Sequence, residues 1–320
     1  MKMYDLIIIG LGPAGLTASI YASRYKLNNL VIGKQLAGEI GLAHKVENMP
    51  GFKTISGLEW GQRTLDQIKH LGAGVITNEV GRIEKIKAGF RVYLAGDNQP
   101  DYESQALIVA TGSERRRLNI PGEQEYVGKG ISYCTTCDAP FFRDKTVVVI
   151  GGSDAAVSGV VHTAEFAKKV YLVYRRDQLR AEPAWLDEYQ KISKAGKAEA
   201  IYNTNVVEIK GNGQRLTGVV LDKPYKNSVE LNCDGVFIEI GGVPGTGLLK
   251  PLGVEINDKD FTQEAEDMST NVPGLFVAGD ITQHSNILKQ AITACAQGAL
   301  AAASVYKYLK KEQAPRILGV

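Results

Sequence analysis

Two stretches of the chain share one pattern of apolar and polar positions. Residues 4–33 read YDLIIIG-LGPAG-LTASIYASRYKLN-NLVIG, and residues 145–174 read KTVVVIG-GSDAA-VSGVVHTAEFAKK-VYLVY. In each, an unbroken apolar run rich in β-branched residues is typical of a strand buried in a parallel sheet. A glycine-rich turn, a helical segment and a second apolar run follow. Each stretch therefore predicts a strand–helix–strand unit of about 30 residues with parallel strands.

The first turn has the spacing Gly10-x-Gly12-x-x-Gly15, directly after a strand and directly before a helix. Gly10 makes the tight turn, Gly12 lets the backbone approach a pyrophosphate, and Gly15 lets helix and strand pack closely. Free N–H groups at the start of the helix favour a phosphate there. The turn predicts a dinucleotide site, and a glycine-rich turn without a ligand is the alternative.

The second turn, GGSDAA at 151–156, departs from this spacing because Ser153 stands where the middle glycine is expected. The residues after its second strand are basic: Arg175 and Arg176, with Arg180 one helical turn further. At this place an acid would accept from the ribose 2′-hydroxyl of NAD, whereas arginines suit a 2′-phosphate. The second stretch thus predicts an NADPH site, with a solvated basic turn as the alternative.

Two dinucleotide sites in one chain indicate a relay between a bound flavin dinucleotide and a diffusible nicotinamide dinucleotide. The segment 269–303 supports the flavin site, because GLFVAGD predicts a short buried strand ending at Gly279 and Asp280, before an Ala-rich helix. The Asp280 carboxylate can accept from a ribityl hydroxyl, and Lys289 and Gln290 are candidates for contact with the flavin ring. The alternative for Asp280 is an ordinary helix N-cap.

Glycine-rich strand ends at 109–113 and 239–246 indicate where the chain leaves and re-enters the first domain, and IPGE after the first of them is interpreted as a linker. We predict an α/β protein of two Rossmann-like, three-layer nucleotide-binding domains, the second inserted into the first. The FAD-binding domain comprises 1–115 and 246–320. The NADPH-binding domain comprises 116–245 and carries a pair of cysteines.

Composition narrows the function classes. The chain has 320 residues, enough for two domains with cores of their own. Its net charge of +2 is too small to indicate a nucleic-acid or membrane-surface binder. Glycines and Pro13 break the apolar N-terminal run, which argues against a signal peptide, and no other apolar run reaches about 20 residues. We therefore expect no nucleic-acid or membrane partner, and a cytoplasmic location.

The segment ISYCTTCDAP, residues 131–140, holds Cys134 and Cys137, two of the four cysteines of the chain. In a reduced compartment such a pair is more often catalytic or metal-binding than structural. A structural zinc site needs four ligands, but Cys233 and Cys295 are isolated and the four histidines are scattered. These observations argue against zinc, so no metal site is expected, and the residues alone leave open whether the pair is a redox pair or two cysteines that happen to be close.

Together these segments resemble the low-molecular-weight thioredoxin reductases across essentially the whole chain. The segments that carry the resemblance are GLGPAG, VENMPGF, VATGS with IPGE, GISYCTTCDAPFF, VVVIGGSDAA, YRRDQLRAE and GLFVAGDI. CTTCD, placed just before the first strand of the second unit, is the most specific of them. The resemblance implies a homodimeric thioredoxin-disulfide reductase with FAD in the outer domain and NADPH in the inserted one. Its partner would be thioredoxin or a similar small redox protein.

The same resemblance implies roles for the residues of the cysteine segment. The Cys134–Cys137 disulfide would take electrons from reduced FAD, with Cys137 against the flavin. Cys134 would attack the partner's disulfide, and Asp138 would act as the general acid. Because nicotinamide and disulfide cannot share one flavin face, the inserted domain would rotate about linkers at 115–118 and 241–246.

The resemblance also implies two sets of cofactor-binding residues. Those expected to bind FAD are Gly10, Gly12, Pro13, Ala14, Gly15, Gly33, Lys34, Gly38, Glu39, Asn48, Val80, Ala110, Thr111, Gly112, Gly279, Asp280, Lys289, Gln290 and Ala291. Those expected to bind NADPH are Gly151, Gly152, Ser153, Asp154, Ala155, Arg175, Arg176, Arg180, Ile240 and Gly241.

The chain departs from the family pattern mainly in its nicotinamide half. Members usually carry Gly where Ser153 stands, and acids where Ser158 and Gly159 stand. They often carry His in place of Tyr174, and the segment 280–290 is about two residues longer here than in common members. Two alternatives therefore stay open. One is a family member with an electron donor other than NADPH, and the other is a thiol oxidase of the same fold that passes electrons to oxygen.

Overall fold

A computed structural model describes residues 2–311 of the chain. The chain divides into two compact units, of which the first comprises Met1–Glu114 and Val243–Val320 and the second comprises Arg115–Gly242. The second unit is therefore an insertion in the first. Residues 312–320, which the sequence analysis assigns to the first domain, lie outside the described residues.

Strands and helices alternate over residues 2–77 and 113–201, and a run of consecutive strands follows each of these parts. The strands are β1 (Lys2–Ile9), β2 (Asn29–Gly33), β3 (Gly74–Thr77), β4 (Val80–Ile86), β5 (Gly89–Leu94), β6 (Tyr102–Val109), β7 (Ser113–Arg115), β8 (Ile131–Ser132), β9 (Thr146–Gly151), β10 (Lys169–Val173), β11 (Ala198–Ile201), β12 (Val206–Gly211), β13 (Leu216–Tyr225), β14 (Ser228–Asn232), β15 (Gly235–Glu239), β16 (Gly242–Pro244) and β17 (Leu275–Val277). The helices are α1 (Pro13–Arg24), α2 (Gly57–His70), α3 (Glu123–Tyr126), α4 (Thr135–Asp138), α5 (Asp154–Thr163), α6 (Pro183–Lys194) and α7 (Ala291–Lys310).

The first unit is built on a seven-stranded sheet in the order β3-β2-β1-β6-β5-β4, with β17 also paired to β6. The pairs among β1, β2, β3, β6 and β17 are parallel, and β5 and β4 extend the sheet as an antiparallel hairpin. Successive side chains of β1 point to opposite faces, so Leu6 and Ile8 enter one core while Ile7 enters the other. The sheet is buried on both faces, which explains the unbroken apolar run of its first strand.

The second unit repeats this design on a smaller scale. Its five-stranded sheet is parallel throughout, in the order β11-β10-β9-β15-β8. Val147 and Val149 of β9 face a core that α5 and α6 complete, whereas Val148 faces a core completed by the antiparallel sheet β12-β13-β14. Helices lie on one face and a second sheet on the other, so the layers number three. The predicted fold class is confirmed.

The two chain crossings between the units run through glycine-rich backbone. On the first unit's side the Gly245 N–H donates to the carbonyl oxygen of Gly112 at 2.9 Å. On the second unit's side the Arg116 N–H donates to the carbonyl oxygen of Gly241 at 3.0 Å. The interpretation of IPGE, residues 120–123, as a linker is wrong. Ile120 is partly buried against the core of the second unit, so this segment is part of the inserted unit itself.

Helices α1 and α7 of the first unit lie in close contact. A Cβ atom added at Gly298 of α7 would lie 2.1 Å from the carbonyl oxygen of Ala14 in α1. Atoms cannot approach so closely, so only a glycine allows the two helix backbones to meet at this point. The contact fixes α7 over the start of α1, where the first glycine-rich turn leads into the helix.

Gly298→Ala should destabilise the protein by about 1–3 kcal/mol, because the added methyl group overlaps the Ala14 carbonyl. Without that contact, alanine in a helix would stabilise the protein by up to about 1 kcal/mol, so the sign of the change is informative. The measurement is the midpoint of urea unfolding. Gly247→Ala is the control, because a Cβ there meets no atom within 4 Å. A midpoint at or above that of the wild type would contradict the close packing.

Candidate nucleotide and disulfide sites

The three glycines of the first turn have three different surroundings. Gly10 has φ +125°, and a Cβ there would lie 2.1 Å from the carbonyl oxygen of Ala110. A Cβ at Gly15 would lie 1.9 Å from the carbonyl oxygen of Gly10. At Gly12, by contrast, the nearest atom is the carbonyl oxygen of Ala37 at 3.9 Å. The fold itself requires glycine at positions 10 and 15, whereas the space beside Gly12 is open and could receive a ligand.

The backbone beside that space suits a phosphate. Helix α1 begins at Pro13, and Gly12 is its N-cap with no side chain hydrogen-bonded to the first turn. The first N–H groups of α1 are therefore free to donate, and the helix dipole favours negative charge at this end. The turn fits the pyrophosphate of a dinucleotide such as FAD on these two observations.

Other predicted flavin residues lie on elements that meet at the same end of the sheet. Asp280 follows β17, which pairs with β6 immediately before Ala110. Burial raises the pKa of the Asp280 carboxyl, and Lys289 and Ser113 partly offset the rise. Ser113 was missed by the sequence analysis, although its place at the end of VATGS was a signal for it. The Gln290 side chain accepts from Asn48 Nδ2 at 3.2 Å.

The alternative reading of Asp280 as a helix N-cap is wrong. Helix α7 begins at Ala291, and Gln290 is its N-cap in a reciprocal capping box with Thr293. Asp280 lies ahead of the 3₁₀ turn Gln283–Asn286 and contributes no cap to α7. A helix-cap role therefore does not account for the half-buried Asp280 carboxylate.

The side chains of two further predicted flavin residues, Lys34 and Val80, contact other residues of the protein. Lys34 Nζ pairs with Glu79 Oε2 at 2.8 Å on the surface. Val80 is buried in the core at the start of β4, so its side chain takes part in packing. Any contact of Val80 with a cofactor would use its backbone.

A buried carboxylate holds the loop between Asp280 and Gln290, and the sequence analysis did not find it. Glu264 has a fully buried side chain that accepts from the backbone N–H groups of Gln283, at 3.1 Å, and His284, at 3.2 Å. The His284 ring lies 2.6 Å from the same carboxylate. These bonds fix the start of the longer loop that leads to Lys289 and Gln290. The Thr262 hydroxyl also donates to Glu264, at 3.1 Å. The loop groups that Glu264 holds follow about twenty residues later, so no local pattern marks Glu264 as their partner.

The second turn repeats the backbone of the first with different side chains. Gly151 has φ +145°, and a Cβ there would lie 2.2 Å from the carbonyl oxygen of Glu239. Ser153 caps α5 with φ −98° and ψ −176°, close to the φ −81° and ψ −178° of Gly12. The serine side chain therefore stands where the first unit leaves open space. The Ser153 side chain makes no capping hydrogen bond, so the first N–H groups of α5 remain available.

Three arginines that are predicted to bind NADPH follow β10. Arg175, Arg176 and Arg180 are exposed, and none forms an ion pair within residues 2–311. They follow the second strand of the same strand–helix–strand unit, beside the turn at 151–154. Unpaired guanidinium groups in this position fit a 2′-phosphate better than a free 2′-hydroxyl.

The predicted disulfide between Cys134 and Cys137 is present, with a Cα–Cα separation of 5.4 Å. Cys134 is the N-cap of α4, and its Sγ accepts from the Cys137 N–H at 3.1 Å. Ser132 Oγ in turn accepts from the Cys134 N–H at 2.9 Å. Cys137 is exposed, while Cys134 and Asp138 are half-buried. A donor already aimed at the Cys134 sulfur would stabilise a thiolate there.

Helix α5 packs closely against the short helix α4, which carries the cysteine pair. A Cβ at Gly159 would lie 2.9 Å from Cγ2 of Thr135, so glycine allows α4 to sit close to α5. The largely buried His162 ring stands edge-on to Phe166, with ring centroids 5.4 Å apart. Burial lowers the pKa of His162, and Glu165 and the Thr136 backbone partly offset this. Gly159, noted above as a departure from the family pattern, thus has a packing role.

The remaining cysteines lie apart from this pair. Cys233 is buried in the core between β14 and β15, and burial raises the pKa of its thiol to about 12. Cys295 is a half-buried residue of α7. Across residues 2–311, no group of three or more His, Cys, Asp or Glu side chains is arranged to hold a metal ion. No described helix has the length and apolar character needed to span a membrane.

Two Rossmann-like units in one chain, the inserted one bearing a CxxC disulfide, define a dinucleotide-dependent disulfide oxidoreductase. The profile of the pyridine nucleotide-disulphide oxidoreductase family matches residues 4–298. The chain belongs to that family. Its thioredoxin reductase members use FAD and NADPH as cofactors.

Individual relatives match along the whole length. The thioredoxin reductase of Listeria monocytogenes is 38% identical over 312 residues, covering 97% of this chain and 95% of the relative. The solved thioredoxin reductase of Lactococcus lactis superposes with a TM-score of 0.88 at 33% identity, over 97% of this chain and 100% of that one. The solved ferredoxin-flavin thioredoxin reductase of Clostridium acetobutylicum matches with a TM-score of 0.52 at 29% identity, over 98% of this chain and 100% of that one.

Gly12→Ala should leave the stability of the flavin-free protein within about 0.5 kcal/mol of wild type, because its Cβ meets no protein atom closer than 3.9 Å. The same change should weaken FAD binding at least about tenfold, since the methyl group would occupy the space needed by the pyrophosphate. The measurement is a titration of flavin-free protein with FAD, beside its urea unfolding. Gly247→Ala is again the control, and normal FAD affinity in Gly12→Ala would contradict this site.

Proposed function

We propose that the chain is a thioredoxin-disulfide reductase, which passes electrons from NADPH through FAD and the Cys134–Cys137 pair to the disulfide of thioredoxin or a similar small protein. The observation that carries the proposal is the disulfide itself, set at the start of α4 within the inserted nucleotide-type unit. The disulfide and the glycine-rich turn that follows β9 belong to the same unit of the chain. Two dinucleotide turns and one redox pair supply the three parts that such a relay needs.

The chain's own residues account for the exchange with the partner. In the reduced pair, the Cys137 N–H that points at Cys134 Sγ stabilises a thiolate on Cys134. That thiolate attacks one sulfur of the partner's disulfide, forming a mixed disulfide and releasing the other partner sulfur. Cys137 then attacks Cys134 Sγ, which restores the disulfide and releases the second partner thiol. Two electrons leave the cysteine pair, and the partner takes up two protons.

Asp138 is proposed as the proton donor of this sequence. It is the last residue of α4, directly after Cys137, and it is half-buried. A carboxyl group there is within one residue of the reacting sulfur, so it can protonate a leaving thiolate. When bound, FAD supplies the chemistry that converts a hydride from a nicotinamide into a pair of electrons for a disulfide.

The residues proposed to hold the two cofactors form two sets. For FAD these are the turn and α1 start (Gly10, Gly12, Pro13, Ala14, Gly15), the β2 end and following turn (Gly33, Lys34, Gly38, Glu39), Asn48, Val80, the β6 end (Ala110, Thr111, Gly112) and the closing segment (Gly279, Asp280, Lys289, Gln290, Ala291). For NADPH these are Gly151, Gly152, Ser153, Asp154, Ala155, Arg175, Arg176, Arg180, Ile240 and Gly241.

The setting of the reaction is part of the same proposal. The enzyme would act as a homodimer in the cytoplasm, with thioredoxin as its protein partner and without nucleic acid or membrane. The first and second domains would bind FAD and NADPH, respectively. The inserted domain would rotate about residues 115–118 and 241–246, so that nicotinamide and disulfide take turns at the flavin.

A second candidate differs only in the source of electrons. Ser153 places a side chain where the first unit keeps the open space beside Gly12. A narrower second turn favours an enzyme that reduces thioredoxin with a donor other than NADPH. One structural relative is titled a ferredoxin-flavin thioredoxin reductase, so ferredoxin is the donor to compare.

An anaerobic titration separates these candidates. The purified flavoprotein is mixed in turn with NADPH, NADH and reduced ferredoxin, and bleaching of the flavin absorbance is followed. Rapid bleaching by NADPH, followed by transfer to thioredoxin, supports the NADPH-dependent enzyme. Bleaching by ferredoxin alone supports the second candidate. Dithiol-dependent oxygen consumption without bleaching by any donor would instead indicate the thiol oxidase.

Cys137→Ser should retain FAD and NADPH-dependent reduction of an artificial dye, because neither requires the cysteine pair. Reduction of thioredoxin should fall at least about 100-fold, since no second thiol remains to resolve the mixed disulfide. The measurement is the ratio of the two rates in one preparation. Cys233→Ser is the matched control and should change neither rate, because Cys233 is buried away from the pair. Full thioredoxin reduction by Cys137→Ser would contradict the assignment.

A further inference from the structure

One contact at the two glycine-rich turns has its large and small residues exchanged. In the first unit the large residue lies in the turn and the small one at the strand end, and in the second unit it is the other way round. In the first unit, Leu11 of the turn packs on Gly33 at the end of β2, where a Cβ would lie 2.7 Å from the Leu11 nitrogen. In the second unit the equivalent positions are Gly152 and Tyr174. A Cβ at Gly152 would lie 2.5 Å from Cε1 and Cζ of the Tyr174 ring. The aromatic ring therefore lies directly on the turn, and only glycine leaves room for it.

The hydroxyl group of that ring is bound to an arginine. Tyr174 is buried, and its Oη accepts from Nε of Arg180 at 3.0 Å. The Arg180 backbone N–H donates to the carbonyl oxygen of Gly152 at 2.7 Å. The side chain and the backbone of Arg180 are thus both attached to the turn, directly or through the tyrosine. Because Nε is engaged, the two terminal amino groups remain to grip a phosphate.

The loop that carries the arginines is fastened at a second point. The Glu182 N–H donates to Oδ1 of Asp154 at 2.6 Å, and Asp154 is the first residue of α5. The loop between Tyr174 and Glu182 is therefore closed against the start of the helix. Arg175 and Arg176 lie on this loop, exposed and without ion pairs in the described part of the chain. The loop is ordered by the protein itself, before any ligand arrives.

We propose that Tyr174 is a positioning residue for the electron donor: its hydroxyl group fixes the Arg180 guanidinium beside the second turn, where it receives the 2′-phosphate of a nicotinamide dinucleotide. The inference rests on the proposed NADPH-dependent function and deepens it. A flexible arginine loses side-chain entropy when it binds a phosphate, whereas one already held by a hydrogen bond loses less. Tyr174 thereby favours NADPH over NADH without touching the nicotinamide.

Tyr174→Phe isolates the hydroxyl group, because phenylalanine keeps the ring over Gly152. The probes are 2′,5′-ADP, which carries the 2′-phosphate, and 5′-AMP, which lacks it, titrated calorimetrically into the flavin-loaded enzyme. We expect the affinity for 2′,5′-ADP to fall about tenfold, the size of a lost hydrogen bond to a charged group, and that for 5′-AMP to stay unchanged. Tyr174→His, whose ring nitrogen can accept from Arg180, should retain most of the affinity.

Two further variants separate positioning from general damage. Tyr171→Phe is the matched control, since Tyr171 lies on β10, which ends directly before Tyr174, and its ring packs edge-on against Tyr225. It should bind both probes as the wild type does. In the Arg180→Met background, Tyr174→Phe should have no additional effect, because the two residues act through one hydrogen bond. Additive losses in the double variant would overturn the inference.

The kinetic consequence is equally specific. With Tyr174→Phe, KM for NADPH should rise about tenfold while kcat stays within about twofold, and the constants for NADH should not change. An equal loss with both dinucleotides would reduce Tyr174 to a packing residue and overturn the inference.

The outcomes also separate this inference from the function on which it rests. If the wild type binds 2′,5′-ADP and Tyr174→Phe binds it equally well, only the role of Tyr174 is wrong. If the wild type binds neither probe and thioredoxin is reduced only with ferredoxin, the proposed NADPH site is wrong and the inference falls with it.

Discussion

In both units, the structure around the glycine-rich turn depends on a close approach between the backbone of the turn and the backbone at the end of a neighbouring strand. Gly10 and Gly151 both have positive φ where the chain leaves the sheet. A Cβ at Gly10 would lie 2.1 Å from the carbonyl oxygen of Ala110, and a Cβ at Gly151 would lie 2.2 Å from that of Glu239. No other residue type fits there. Because the chain turns at this point, the free N–H groups of the next helix face the carboxyl edge of the sheet. Both predicted dinucleotide sites lie at this edge.

Helix α5 links the two chemical parts of the inserted unit. The first turn of α5 directly follows the second glycine-rich turn. Farther along α5, Gly159 packs against Thr135 of the cysteine-bearing helix α4. A displacement of α5 would therefore disturb the arginine loop, held through Asp154, and the disulfide together. The first unit has no such double role for α1. There the corresponding helix is instead packed under α7, through the glycine contact at Gly298.

Local pattern was sufficient for the elements and for the identity of the redox pair. The strand–helix–strand units were predicted because both sheets are buried on both faces, which leaves unbroken apolar runs in the sequence. The disulfide was implied by the resemblance of the CTTCD segment, and it forms between Cys134 and Cys137, which are neighbours in the chain. The assignment of Gly12 to a dinucleotide likewise came from local pattern, because the turn follows a strand and opens a helix, and it stays a prediction.

Contacts between distant residues decided the rest. Spacing alone could not show that Ile120 packs against the core of the inserted unit, or that Gln290 and not Asp280 caps α7. It could not show that Tyr174 covers Gly152, because the two residues meet only when parallel strands bring their ends together. The sequence by itself determined which backbone units form, since they depend on neighbours in the chain. The tertiary structure decided which side chains complete each site, since these depend on how close the folded backbones lie.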